Sequence, residues 1–146
     1  MNINKFTQKS MEAVQNCEKI AYDYGHQELA QEHLLYSLLT IEDSLIEKLI
    51  EKMEIQPEVF LAQVEGLLKK RPKVSGGKVF VGDGLNKVLI YAEDEAKAMG
   101  DEYVSVEHLF LSMLKHATKE MKGLFQSFGI DRNRFLQALS LSLIHI

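Results

Sequence analysis

The sequence predicts an all-α protein of two tandem four-helix repeats packed as a pseudo-twofold single domain. Three observations carry that prediction. A segment recurs at a fixed offset of 75 residues, apolar residues recur at helical spacing, and glycines stand where two long helical stripes end. Tyr-Asp-Tyr-Gly-His-Gln-Glu-Leu-Ala-Gln-Glu-His-Leu-Leu (22–35) lies on Lys-Ala-Met-Gly-Asp-Glu-Tyr-Val-Ser-Val-Glu-His-Leu-Phe (97–110). Gly25 falls on Gly100, Glu32-His33-Leu34 on Glu107-His108-Leu109, Ser37 on Ser112, and Phe60-Leu61 on Phe135-Leu136. Over 7–68 against 82–143, 13 of 62 ungapped pairs are identical, where chance gives about four.

The elements follow in order. The first helix of copy one carries Ala13, Cys17, Ile20, Ala21 and Tyr24 on one stripe, with Thr7 as its N-cap. Its counterpart in copy two uses Leu85, Val88, Leu89, Ala92, Ala96 and Met99. Gly25 and Gly100 end the two helices, because glycine adopts the left-handed stop conformation most cheaply. The second helices begin near Ala30 and Ser105. Ser105 is expected to cap its helix, while Ala30 cannot, so the first copy's start is expected to be looser or to use another acceptor. Ser44 and Glu47 form a capping-box pattern for a third helix over 45–53. Pro57 opens the fourth helix, and Asp131 caps the fourth helix of copy two. The boundaries that result are a first repeat over 1–70, a linker over 71–84, a second repeat over 85–140 and a tail over 141–146. The linker holds four glycines and Pro72, and Val79-Phe80-Val81 within it is expected to dock on the surface rather than form a strand.

Composition narrows the function. With 46% hydrophobic and 26% charged residues the chain is globular, and 17 Lys and Arg against 21 Asp and Glu leave a net charge of −4. That balance argues against a nucleic-acid partner, which calls for a cationic excess. A single cysteine, the absence of an apolar leader and the absence of any run of about 20 apolar residues place the chain, by expectation, in the cytoplasm and off the membrane.

Catalytic patterns are poorly supported. His33 and His108 occupy the same repeat position, and a metal-dependent helical enzyme using both is the remote alternative. Neither has further ligands at helical spacing, so each reads as a first-turn histidine bonded to nearby backbone. Cys17 lies on Ala92 and reads as a packing residue. Gly76-Gly77-Lys78 lacks the remaining positions of a nucleotide loop. The chain is therefore read as a non-enzyme with no cofactor or metal of its own. The exposed candidate is Tyr91, which with Ile90 widens the apolar stripe where copy one has Gln15 and Asn16.

Lys5-Phe6-Thr7, Gly25-His26-Gln27-Glu28-Leu29, Gln31-Glu32-His33-Leu34-Leu35 and Gly100-Asp101-Glu102-Tyr103-Val104-Ser105-Val106-Glu107-His108-Leu109 resemble the N-terminal (Clp-N repeat) domain of the Clp ATPases. With Pro72-Lys73-Val74 they are most similar to the ClpB-type disaggregating chaperones within that family, over residues 3–140. The resemblance implies a substrate-binding domain that captures unfolded or aggregated polypeptide for threading by ATPase modules absent here. ATP and magnesium would belong to those modules, as would hexamer contacts, leaving this part monomeric. It implies substrate contacts at Thr7, Asp101 and Glu107, and a groove near Tyr91, Glu95 and His108, the last two polar where some relatives are apolar. The alternative within the family is docking of adaptor proteins in a protease-linked Clp ATPase. The ending Leu141–Ile146 does not resemble the family's charged, glycine-containing linker and is expected to be non-native.

Overall fold

A computed structural model describes residues 3–144 of the chain. After a 3-10 turn at Ile3–Lys5, the described residues form eight α-helices: α1 (Gln8–Tyr24), α2 (Gln31–Thr40), α3 (Leu45–Lys52), α4 (Pro57–Lys70), α5 (Asp83–Ala98), α6 (Val106–Lys115), α7 (Lys119–Ser127) and α8 (Arg132–Ile144). Two short strands, β1 (Glu28–Leu29) and β2 (Phe80–Val81), pair in parallel.

The caps explain the boundaries. Thr7 Oγ1 accepts the Ser10 N–H at 3.2 Å, and Ser44 Oγ accepts the Glu47 N–H at 3.0 Å. Asp131 Oδ1 accepts the Arg134 N–H at 2.8 Å, and Pro57 stands at the first turn of α4. Gly25 and Gly100 both take positive φ, 75° and 73°. The following residue then donates back into the helix end, His26 N–H to Ala21 and Asp101 N–H to Ala96.

The repeat persists in three dimensions. Ser37 Oγ donates to Ala13 O at 2.7 Å, and Ser112 Oγ donates to Val88 O at the same distance. These bonds lock α2 onto α1 and α6 onto α5. One apolar core joins the copies: α3 packs on α6 and α8, and α4 packs on α7. Phe60 of α4 meets Phe128, the C-cap of α7, edge to face at 5.0 Å between centroids.

Two expectations need correction. Phe80-Val81 does form a strand. Phe80 pairs with Glu28 and Val81 with Leu29, while Phe6 bridges Val104 in the same parallel sense. Adding 75 to Phe6 gives Val81, and adding 75 to Leu29 gives Val104, so the two pairings are one interaction used twice. Each copy's lead-in segment pairs with the other copy's loop between its first two helices. The second correction concerns the tail. Helix α8 continues past residue 140 to Ile144, so residues 141–144 belong to the helix; His145 and Ile146 lie outside the described residues.

Candidate functional site

The two histidines solve the same local problem. Both α2 and α6 begin after a residue in extended conformation, Ala30 and Ser105. His33 Nδ1 accepts the Ala30 N–H at 2.9 Å, and His108 Nδ1 accepts the Ser105 N–H at 2.9 Å. This is the N3 half of a capping box: the histidine accepts the N-cap N–H, while the His33 N–H itself goes to Ala30 O at 3.1 Å. Ser105 does not act as the expected cap: its hydroxyl instead lies 3.2 Å from His108 Nδ1.

That bond fixes the tautomer. A ring that accepts at Nδ1 carries its proton on Nε2. In copy two His108 Nε2–H therefore donates to Asp101 Oδ2 at 2.8 Å. In copy one His33 Nε2–H donates to His26 Nδ1 at 2.8 Å, and His26 bonds the Leu68 backbone in turn. His26 and Asp101 are repeat counterparts, so the copies keep the relay and exchange the acceptor. Burial, with His26 and Arg71 nearby, holds His33 down to about 4.

The ends of the two copies around these relays differ in access. In copy one, Arg71 reaches back from the linker and donates to Glu28 at 3.0 Å and to the buried Glu32 at 3.1 Å. Val74 N–H bonds Gly25 O, and Lys73 packs against Gly25. This end is closed. In copy two the counterpart of Glu32 is Glu107, which is half-buried and forms no ion pair with a described residue. Asp101 is exposed and lines a cavity of about 100 Å³ with Lys5 and Lys97.

Asp101, Glu107 and His108 place one ligand atom each within 4.8 Å of one another. Both His108 nitrogens are committed, one to the Ser105 N–H and one as a donor to Asp101, so the ring has no free lone pair for a cation. The cluster fits a hydrogen-bonding surface better than a metal site.

The remaining sequence-derived residues separate. Thr7 sits beside this end because its N–H donates to Val104 O at 2.9 Å, but its hydroxyl is occupied in capping α1 with Ser10. Tyr91 is 42% exposed on α5, with its ring stacked on His116 at 4.7 Å. Glu95 and His108 are only 5% and 1% exposed, so neither forms the wall of an open groove. Glu95 accepts from Arg132 at 2.7 Å. Cys17 is buried, bonds Ala13 O, and has its thiol pushed up to about 12 by desolvation, as a packing residue should.

One structural residue went unread. Gln31, fully buried, donates to Gly84 O and His116 O at 3.0 and 2.9 Å and accepts the Thr118 N–H at 3.0 Å. Its counterpart is the apolar Val106. A glutamine aligned with a valine at a buried helix start was the available signal.

Comparison with known proteins completes the picture. The family described as the Clp repeat (R) N-terminal domain matches residues 5–128. The chain is 40% identical over 145 residues to the chaperone protein ClpB of Nitratidesulfovibrio vulgaris, covering 95% of this chain and 17% of that protein. It is 34% identical over 144 residues to the ClpB of Bacillus cereus, again covering 95% of this chain and 16% of the relative. The chain thus spans about a sixth of these relatives' length. The Hsp104 N-terminal domain from Candida albicans superposes with a TM-score of 0.82 at 20% identity, over 94% of this chain and 91% of that one. A ClpV N-domain solved in complex with a VipB peptide superposes with a TM-score of 0.70 at 18% identity, over 86% and 80% of the two chains. Among the described residues no helix is long and apolar enough to cross a membrane.

Proposed function

The chain belongs to the Clp repeat (R) N-terminal domain family, and on that premise we propose that it is the polypeptide-capturing N-terminal domain of a ClpB-like disaggregase. Its work is to hold unfolded or aggregated chains for ATP-driven threading by ATPase modules outside these residues. The observation that carries this reading is the difference between the two repeat-related ends. Arg71 and the linker close the first, while in the second neither Asp101 nor Glu107 forms an ion pair with a described Lys or Arg. Two accessible carboxylates beside strand-like backbone at Val104 offer acceptors to the N–H groups and cationic side chains of an extended segment. Tyr91 adds an exposed aromatic face on the same helix pair. Such contacts are few and solvent-exposed, so binding is weak and rapidly reversible, as suits a captor that hands its client to a motor.

In this reading the domain is monomeric on its own, hexameric through its ATPase modules, and works in the cytoplasm with no cofactor of its own. Docking of an adaptor protein, as in a protease-linked Clp ATPase, is the second reading; the ClpV neighbour with its bound peptide favours it. NMR titration with casein, an unfolded model protein, separates the two. Capture predicts amide shifts around Thr7, Tyr91, Asp101 and Glu107, and about tenfold weaker binding for the Asp101→Asn, Glu107→Gln double variant. Shifts elsewhere, or an unchanged affinity in that variant, would sink the capture reading.

A further inference from the structure

Each copy contains a groove bounded by its second, third and fourth helices, and the two grooves carry opposite charge. In copy one the groove measures about 420 Å³ and is floored by Leu39 and Leu61, with Glu47, Glu51, Glu58 and Glu65 around it. In copy two it measures about 610 Å³ and is floored by Leu114, Ala117, Phe125 and Ile130, with Lys115, Lys122 and Arg132 around it. The 75-residue offset carries Leu39 onto Leu114, Glu47 onto Lys122, Glu51 onto Gln126 and Pro57 onto Arg132. The fold therefore makes the cavity twice, and the cavity alone says nothing of a ligand. What changes between copies is the rim: four carboxylates in one, three cations against Asp131 in the other.

Two of the three cations are not spent internally. Neither Lys115 nor Lys122 forms an ion pair with a described residue, and both are exposed. Arg132 is held against Glu95, and the Asp131 carboxylate caps α8. In a chain of net charge −4 this groove is a local concentration of positive charge over an apolar floor. We infer that the groove between α6, α7 and α8 binds an extended acidic peptide segment, one whose apolar side chains fill the floor and whose Asp and Glu residues face Lys115 and Lys122. The copy-one groove rejects the same segment through its four glutamates. Like-charge contacts of that kind select between partners more strongly than exposed ion pairs add affinity. This site is separate from the Asp101–Glu107 end: it lies at the C-terminal end of α6 and that end at the N-terminal one, about 15 Å apart along a ten-residue helix.

The test uses the peptide Ac-Glu-Leu-Asp-Phe-Glu-Leu-Asp-amide and its counterpart with lysine at every acidic position. The acidic peptide should shift the amides of Leu114, Ala117, Phe125 and Ile130, and the basic one should leave them unmoved. The Lys115→Glu, Lys122→Glu variant, which gives Lys122 the residue of its counterpart Glu47, should weaken the acidic peptide by about tenfold or more with no change in melting temperature. The Asp101→Asn, Glu107→Gln variant should bind the acidic peptide as before, whatever its effect on casein. The inference is overturned if the two peptides bind alike or if the acidic peptide moves the Glu47–Glu51 groove equally. It is also overturned if the lysine-reversed variant keeps its affinity, or if no shift is seen at millimolar peptide.

Discussion

Buried polar residues define this molecule at the residue scale, and two of them, Gln31 and Glu95, find their partners far away in sequence. Gln31 uses all three of its satisfied positions on copy two: the start of α5, the end of α6 and the cap of α7. Replacing it with valine, the residue at its counterpart, would leave the Gly84 and His116 carbonyls and the Thr118 N–H without that partner. An unpaired buried polar group costs about 1–3 kcal/mol, and the loop carbonyls can recruit water, so Gln31→Val should lose about 2–3 kcal/mol. Urea unfolding monitored by circular dichroism measures this, and a loss under half a kcal/mol would show the bridge to be incidental. No periodicity argument could have found these bonds, which join residues 53 to 87 positions apart. The same holds for Glu95, whose burial depends on Arg132 rather than on anything at helical spacing. His33 and His108 were legible because their partners lie three residues away.

At the scale of elements, the relays at the starts of α2 and α6 make acid a selective stress. Burial holds His33 at about 4, against an ordinary value of 6.5, and lowers His26 as well. A histidine depressed in the folded state binds its proton more readily when unfolded. Its contribution is therefore complete above about pH 6.5 and is lost as pH falls from there toward 4. The loss is at most about 3 kcal/mol for His33. Protonating His26 would also set two N–H groups against each other across the 2.8 Å contact. His26→Asp gives copy one the acceptor of copy two, a carboxylate that welcomes a protonated ring, and Arg71 nearby favours its charge. Thermal melts between pH 7 and 4.5 should show the acid slope flattened in His26→Asp. An unchanged slope would place the acid sensitivity elsewhere. The strand at Phe80-Val81 teaches a related lesson. Read alone, Val79-Phe80-Val81 is an apolar triplet in a glycine-rich linker, but with Val81 as the counterpart of Phe6 it is half of a reciprocal pair. Its partner strand belongs to the other copy, so only the offset applied to both copies at once could reveal it. The same comparison, made for charge rather than for identity, would have shown Glu47 opposite Lys122.

At the scale of the whole molecule, the question is whether either repeat is a folding unit. The helix boundaries were readable from caps and stripes within one copy, yet the core that stabilises them is shared. Taken alone, copy one would expose the faces of α3 and α4 that now meet α6, α7 and α8. It would lose the ring contact between Phe60 and Phe128, the partners of Gln31, and the bond from Arg134 to Met53 O. Strand β1 would lose β2. A unit of about 75 residues buries a smaller share of its surface than a larger domain does, and cannot give up one face of its core and remain folded. The Gly76–Gly77 bond lies in an exposed loop, with both glycines at positive φ, and cutting there separates the copies without touching a helix. Fragments 1–76 and 77–146 should each lack a cooperative thermal transition. Mixed in equal amounts they should recover helical signal and a single transition, because the reciprocal strands and the shared core can form between separate chains. A cooperative transition in either fragment alone would show the repeats to be independent units, and would make the seam between them an interface rather than a core.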